Sequence, residues 1–200
     1  MKETIIDLIR HGEPVGGRKY RGYTIDDPLS EKGWVQMRDA VGDYDKWDCI
    51  VSSPMLRCKA FAEELAEKNR IPLTIKNDFE EVGFGDWEGK SVDEVIASDP
   101  QGYEVFYLDP VNARPNNAED LDVFFDRVVD SYNEVLQEHE NQHCLIVAHA
   151  GVIRAVIAHI LYATPLGMYR INVKNAGLVR IKYKSGLPKL DFVNGSLEPS

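Results

Sequence analysis

The sequence predicts an α/β fold: a three-layer α/β/α sandwich around a largely parallel central sheet. Three observations carry this. Short runs of strand length (Thr4–Ile9, Asp48–Ser52, Leu73–Ile75 and Cys144–Ala148) alternate with segments of helical periodicity. The strongest runs are apolar nearly throughout, as strands buried on both faces must be. Two of them also end alike: Leu8-Ile9-Arg10-His11-Gly12 and Ile146-Val147-Ala148-His149-Ala150-Gly151 each close on a histidine followed by Gly or Ala-Gly. Imidazoles at the carboxyl ends of two strands lie where open α/β sheets bind ligands. Arg10 beside the first imidazole points to an anionic ligand.

The helical segments follow in order. Ser30 can cap a helix that carries Trp34, Met37, Ala40 and Val41 on one face. Ser53-Pro54 reads as the N-cap and first residue of a helix running through Lys68. Ser91-Val92-Asp93-Glu94 has the form of a capping box. The clearest helix spans about Glu119 to Glu138, with Leu121, Phe124, Phe125, Val128, Val129, Tyr132, Val135 and Leu136 spaced for one face. Val152–Tyr162 is apolar nearly all round and predicts a buried helix. The tail, with Ile181, Tyr183, Leu190 and Phe192 about a Ser185-Gly186 turn, predicts a β-hairpin. Pro110–Ala118 reads as a long loop or cap over the sheet's edge. No repeat or linker divides the chain, so residues 1–200 are read as a single domain.

Net charge is −10, with 33 Asp and Glu against 23 Lys and Arg. Such a chain lacks the basic footprint of a nucleic-acid or anionic-membrane partner. Positive charge must then be gathered locally if the ligand is an anion. Cys49, Cys58 and Cys144 are odd in number and lie in strand-like or helix-like runs, as reduced thiols of a cytoplasmic protein would. The first ten residues carry no apolar stretch of signal-peptide or membrane-span length.

Four places can carry chemistry. The neutral imidazole of His11 is a nucleophile toward phosphorus, and Arg10 can neutralise phosphate oxygens. Ser52-Ser53-Pro54-Met55-Leu56-Arg57 brings a second arginine to the start of a helix, where guanidinium and helix N-terminus both favour an anion. Glu80-Glu81-Val82-Gly83-Phe84-Gly85-Asp86-Trp87-Glu88-Gly89 is a Gly-rich loop whose carboxyls could give a proton to a leaving oxygen. His149 can donate to equatorial phosphate oxygens. Each has a plainer reading when taken singly: an exposed turn, a surface arginine, solvated carboxylates and a structural histidine. His159, inside the apolar helix, fits the last.

Other motifs compete. His139-Glu140-Asn141-Gln142-His143 matches the H-E-x-x-H zinc pattern, but the helix ends there and Glu198 is the one later glutamate. Asp43-Tyr44-Asp45 follows a helix rather than a buried strand, which misplaces an aspartate nucleophile. No cysteine has an arginine six residues on, so a cysteine-phosphatase pocket is excluded.

Together these motifs resemble the histidine phosphatase superfamily, also called phosphoglycerate-mutase-like. They occur in its order: Arg10-His11-Gly12, Ser52-Ser53-Pro54 with Arg57, Glu81 before Phe84-Gly85-Asp86-Trp87-Glu88-Gly89, then His149. The resemblance implies a phosphoglycerate-mutase-like fold, His11 as phosphohistidine, Arg10, Arg57 and His149 on the phosphoryl group, and Glu81 as proton donor, with Glu80 its adjacent rival. It adds Arg21 and Gly22 as substrate-binding candidates. It implies no metal and no cofactor. Within the superfamily the chain is most similar to the α-ribazole-5′-phosphate phosphatase branch, through the Phe84–Gly89 phrase and Ala150-Gly151-Val152-Ile153-Arg154. Two departures stand out. Gly17 occupies a position where many members have a phosphate-contacting Asn, and Asn117-Ala118-Glu119-Asp120 replaces a Gly-Gly-Glu-Ser loop.

The expectation is a metal-independent phosphomonoesterase on a small phosphorylated metabolite, with α-ribazole 5′-phosphate as one candidate. A sugar-phosphate phosphatase, a mutase and a non-catalytic phospholigand-binding regulator are the alternatives. A homodimer is one option for assembly. The basic run Arg18-Lys19-Tyr20-Arg21 is expected either to draw in an anion or to be a solvated loop.

Overall fold

A computed structural model of the chain describes residues 3–197; Glu198 lies outside them. Four strands form the parallel part of one six-stranded sheet: β1 (Thr4–Arg10), β2 (Cys49–Ser52), β3 (Leu73–Ile75) and β4 (His143–Ala148). β5 (Leu178–Lys184) runs antiparallel beside β1, and β6 (Leu187–Gly195) antiparallel beside β5, in the order β3-β2-β4-β1-β5-β6. The β5–β6 turn is Ser185-Gly186, as expected, and both residues have positive φ, 54° and 79°. That is the backbone a tight hairpin needs.

Alternation along the strands makes the layers. Ile6, Leu8, Val51, Cys144 and Ile146 face α5 (Leu121–Glu138) and α6 (Ala150–Ile160). Ile9, Ile50, Leu145 and Val147 face α1 (Glu31–Val41) and α2 (Leu56–Asn69). These two faces of core confirm the three-layer α/β/α sandwich.

On the second face one residue breaks the apolar pattern. Asp7 is fully buried and accepts hydrogen bonds from Arg180 at 2.7 and 2.9 Å, Trp47 Nε1 at 2.8 Å and His143 Nε2 at 2.8 Å. Burial pushes its carboxyl pKa up, but the bonds to Arg180 and His143 outweigh this and hold it below the usual value. The contacts also dispose of the zinc motif. His139 caps the C-terminus of α5 while His143 opens β4, so the two imidazoles do not share a helix face.

A smaller aromatic core lies outside the sandwich. It joins α3 (Val92–Ser98) and α4 (Pro100–Leu108) to the loops around Tyr20 and Trp87, with Phe106 at its centre. The Ser91–Glu94 capping box is present. α4 was not foreseen; its signal is Asp99-Pro100, an N-cap followed by a proline in the first turn. Pro110–Ala118 is a loop, as expected, and it is tied to residues 83–86: Arg114 donates to the Gly83 carbonyl at 2.8 Å, and Asp86 N–H to the Asn116 carbonyl at 3.0 Å. Among the described residues no helix is long and apolar enough to cross a membrane.

Candidate active site

The parallel register brings the strand ends together. Arg10 pairs with Ala148, and Ser52 with Val147. The residues one step further, His11, His149 and Ser53, therefore emerge side by side. The chain leaves β2 toward β3 and leaves β4 toward β5, in opposite directions, so a crevice opens here. A cavity of about 660 Å³ occupies it, with Arg10, His11, Arg21, Gly22, Arg57 and Glu81 on its wall.

His11 is prepared as a nucleophile. Its Nδ1 lies 2.7 Å from the Gly12 carbonyl. A carbonyl only accepts, so Nδ1 carries the proton and Nε2 keeps its lone pair. Burial first, then the charges of Arg57 and Arg10, push the imidazole pKa well below its ordinary value. The ring is therefore neutral at pH 7. Gly12 is required here, since a Cβ would lie 2.2 Å from the Gly33 carbonyl oxygen.

Arg57 is almost wholly buried and is aimed by two carbonyls, Gly22 at 2.9 Å and Ile25 at 3.0 Å. Arg10 is aimed by Val173 at 2.8 Å. Each keeps a buried Nε–H with no hydrogen-bond partner among the described residues, which is the donor chemistry a phosphoryl oxygen answers.

The helix behind Arg57 starts later than predicted. Ser53 is not its N-cap; Met55 is, and without a side-chain bond. The first helical N–H, of Leu56, is capped instead by Asp26 at 2.8 Å, thirty residues earlier in the chain. Ser53 is needed elsewhere, because its Oγ lies 2.7 Å from His149 Nε2.

His149 is close to the wall but not on it. Its ring meets His11 edge-on, with centroids 5.3 Å apart, and the buried Cys58 thiol lies 3.6 Å from Nε2. Burial, then Arg57, pushes its pKa well down. In this arrangement its ring stands against that of His11 at the strand ends, with Nε2 beside Ser53 and Cys58.

Between the two adjacent glutamates the placement is plain. Glu81 lines the cavity, and its carboxylate accepts from the amides of Val82 at 3.0 Å and Gly151 at 3.1 Å. Glu80 is not on the wall. The Gly151 amide was not foreseen as a partner, although Gly151 at the start of α6 was a visible cue. A Cβ there would lie 2.3 Å from the Glu81 carboxylate.

Gly22 and Arg21 lie on the cavity wall, and each is also tied to its surroundings. Gly22 has φ of 54°, directs its carbonyl to Arg57 and leaves room for the Glu88 carboxylate, which would lie 1.8 Å from a Cβ. Glu88 in turn holds Thr24 and the Phe84 amide. Arg21 is buried and paired with Asp27 at 2.9 Å and the Val15 carbonyl at 2.7 Å.

This geometry has relatives. The sequence pattern of the histidine phosphatase superfamily (branch 1) matches residues 6–195. The chain belongs to the histidine phosphatase superfamily. An uncharacterized phosphatase of Bacillus subtilis, PhoE, is 34% identical over 185 residues, covering 90% of this chain and 89% of the other. The adenosylcobalamin/alpha-ribazole phosphatase of Salmonella typhimurium is 28% identical over 192 residues, covering 94% of each. The crystal structure of the alpha-ribazole phosphatase from Shigella flexneri superposes with a TM-score of 0.83 at 25% identity, covering 98% of this chain and 99% of that one. With relatives that are phosphatases along nearly its whole length, this member of the superfamily is a hydrolase of phosphoric monoesters.

Proposed function

We propose that the protein is a metal-independent phosphomonoesterase that works through a phosphohistidine on His11. The observation that supports this most is the fixed tautomer of a neutral, buried imidazole between two arginines. His11 Nε2 attacks phosphorus as the bond to the departing ester oxygen breaks. Arg10 and Arg57 hold the equatorial oxygens; a charge pair at contact is worth roughly 4 kcal/mol at an effective dielectric near 20. Such fixed charges are what a loose phosphoryl transition state requires. Glu81 gives its proton to the leaving oxygen and takes one back from a water whose oxygen bonds to phosphorus; the P–N bond breaks, His11 Nε2 regains its lone pair and inorganic phosphate leaves.

For the substrate we propose a small phosphorylated metabolite, with α-ribazole 5′-phosphate first to assay. The name of the Salmonella relative supports this, and so does the outer half of the cavity. A volume of about 660 Å³, with Tyr20, Phe84, Tyr107 and Tyr169 on the wall, suits a ring-bearing alcohol better than a three-carbon one.

The test uses substrate labelled on phosphorus, quenched during turnover. Label on the protein should survive alkali, be lost in acid and be missing from His11→Ala. Acid-stable label, or label retained in the variant, rules out the intermediate. Turnover should also persist after chelation; zinc-restored activity would count against the arginine-based site.

A further inference from the structure

The proton donor stands on an irregular stretch between Phe79 and Gly85, with no helix or strand to fix it. A proton can pass to the leaving oxygen only if the carboxyl is held to a fraction of an ångström. α5 and the residues before it supply that hold. Arg127 Nη1 donates to the carbonyls of Asp78 at 2.6 Å and Glu80 at 3.1 Å, and Nη2 lies 3.4 Å from that of Glu81. Glu119 faces Arg127 in a two-point pair at 2.8 and 3.0 Å. The same carboxylate accepts from the Gly83 amide at 3.0 Å, while the Glu119 amide donates back to the Gly83 carbonyl at 3.2 Å. Glu119 therefore grips the chain two residues after Glu81 and orients the guanidinium that grips it before.

We infer that Glu119 is a positioning residue for Glu81: with Arg127 it forms a clamp that sets where the leaving oxygen receives its proton. The inference rests on the reading of Glu81 as proton donor. It also gives a role to the Asn117–Asp120 departure. Within it Glu119 closes the clamp, and Asp120 caps α5 through the amides of Asp122 and Val123.

A structural role alone would slow every substrate. A role through Glu81 depends on how much the leaving group needs a proton. Phosphoenzyme formation should be measured in single turnovers with an alkyl phosphate and with p-nitrophenyl phosphate, whose phenolate leaves unaided. Glu119→Ala should slow the alkyl ester by about 10- to 100-fold and the aryl ester by much less. Glu119→Gln keeps an acceptor for the Gly83 amide but loses the charge opposite Arg127, so it should fall between; it also serves if the alanine variant does not fold. In a Glu81→Gln background, Glu119→Gln should have little further effect on the alkyl ester.

Equal slowing of both esters, no slowing, or an undiminished effect in the Glu81→Gln background overturns the inference. If Glu81→Gln alone discriminates between the esters while the Glu119 variants do not, the clamp fails and the donor stands. If Glu81→Gln itself does not discriminate, the donor assignment fails and takes the clamp with it.

Discussion

The two halves of the cavity are built differently. The phosphoryl half is made at the ends of β1, β2 and β4, where register fixes His11, Ser53 and His149 to one another. Its arginines are aimed by backbone carbonyls. The leaving-group half is made of loops, α4 and the aromatic cluster around Phe106, and it is joined by side chains such as the Tyr20–Tyr107 hydroxyl pair at 3.0 Å. One half shares the sheet's rigidity. The other can vary without disturbing the sheet, so chemistry and substrate choice are physically separable.

If that separation holds, a change in the phosphoryl half costs every ester alike. Arg57→Gln should lower kcat/KM by about 10²- to 10³-fold, with the same factor for alkyl and aryl phosphates. A factor that changes with the alcohol would show that Arg57 serves both halves.

The sheet's rigidity depends on Asp7. Removing one partner of a buried ion pair costs about 3 to 5 kcal/mol, because Arg180 is left uncompensated. Asp7→Asn should therefore lower the unfolding free energy by that order at pH 7. The carboxyl's pKa is held below its unfolded value near 4. Its contribution is thus complete above that pH and disappears as pH falls through the folded pKa. Denaturation curves of the two proteins should converge in that acid window. A gap that stays constant down to acid pH would mean that the charge contributes nothing. The imidazoles of His11 and His149 act in the same direction, since burial holds both pKa values down and the unfolded chain binds protons first as pH falls. In NMR titrations both imidazoles should titrate below the ordinary histidine value.

The same division explains what could be read from sequence. Strands, both histidines and Arg57 were legible because they sit in short local patterns at strand ends. Glu81 was separable from Glu80 only by resemblance; the structure separates them by which one reaches the cavity. Ser53 was misread because its local grammar is that of a cap, while its partner is 96 residues away. Asp7 was invisible for the same reason, as a single acid in an apolar strand whose partners come from β4, β5 and the Trp47 loop. α4 escaped because it lies outside the main core, so it carries no strong apolar stripe, and Leu108 remains 80% exposed.

A change in the leaving-group half should act on recognition instead. Burial, then the bond to Tyr107, pushes the Tyr20 phenol pKa up, and the two hydroxyls lie 3.0 Å apart. Tyr107→Phe removes a bond worth about 1 kcal/mol. KM should rise by about fivefold or less for a bulky alcohol, with kcat nearly unchanged and the unfolding midpoint lowered by about 2 to 4 °C. A fall in kcat shared by p-nitrophenyl phosphate would show that the leaving-group half reaches the chemistry.

The smallest effect concerns the basic rim, where sequence had grouped Arg18, Lys19 and Arg21. The structure divides them. Arg18 and Lys19 are exposed on the cavity's edge, whereas Arg21 is buried and neutralised by Asp27. Long-range attraction depends on unpaired charge, and it matters in a chain of net charge −10 that must admit an anion. Neutralising Arg18 and Lys19 together to Gln should lower kcat/KM by about two- to threefold at low salt, and the loss should fade near 0.15 M, where screening acts over about 8 Å. Arg21→Gln should behave differently. It removes the tie to the Val15 carbonyl and to Asp27, so whatever activity it loses should be the same at every ionic strength. A salt-dependent loss in Arg21→Gln would return that residue to the steering group and show that Asp27 does not cancel its charge.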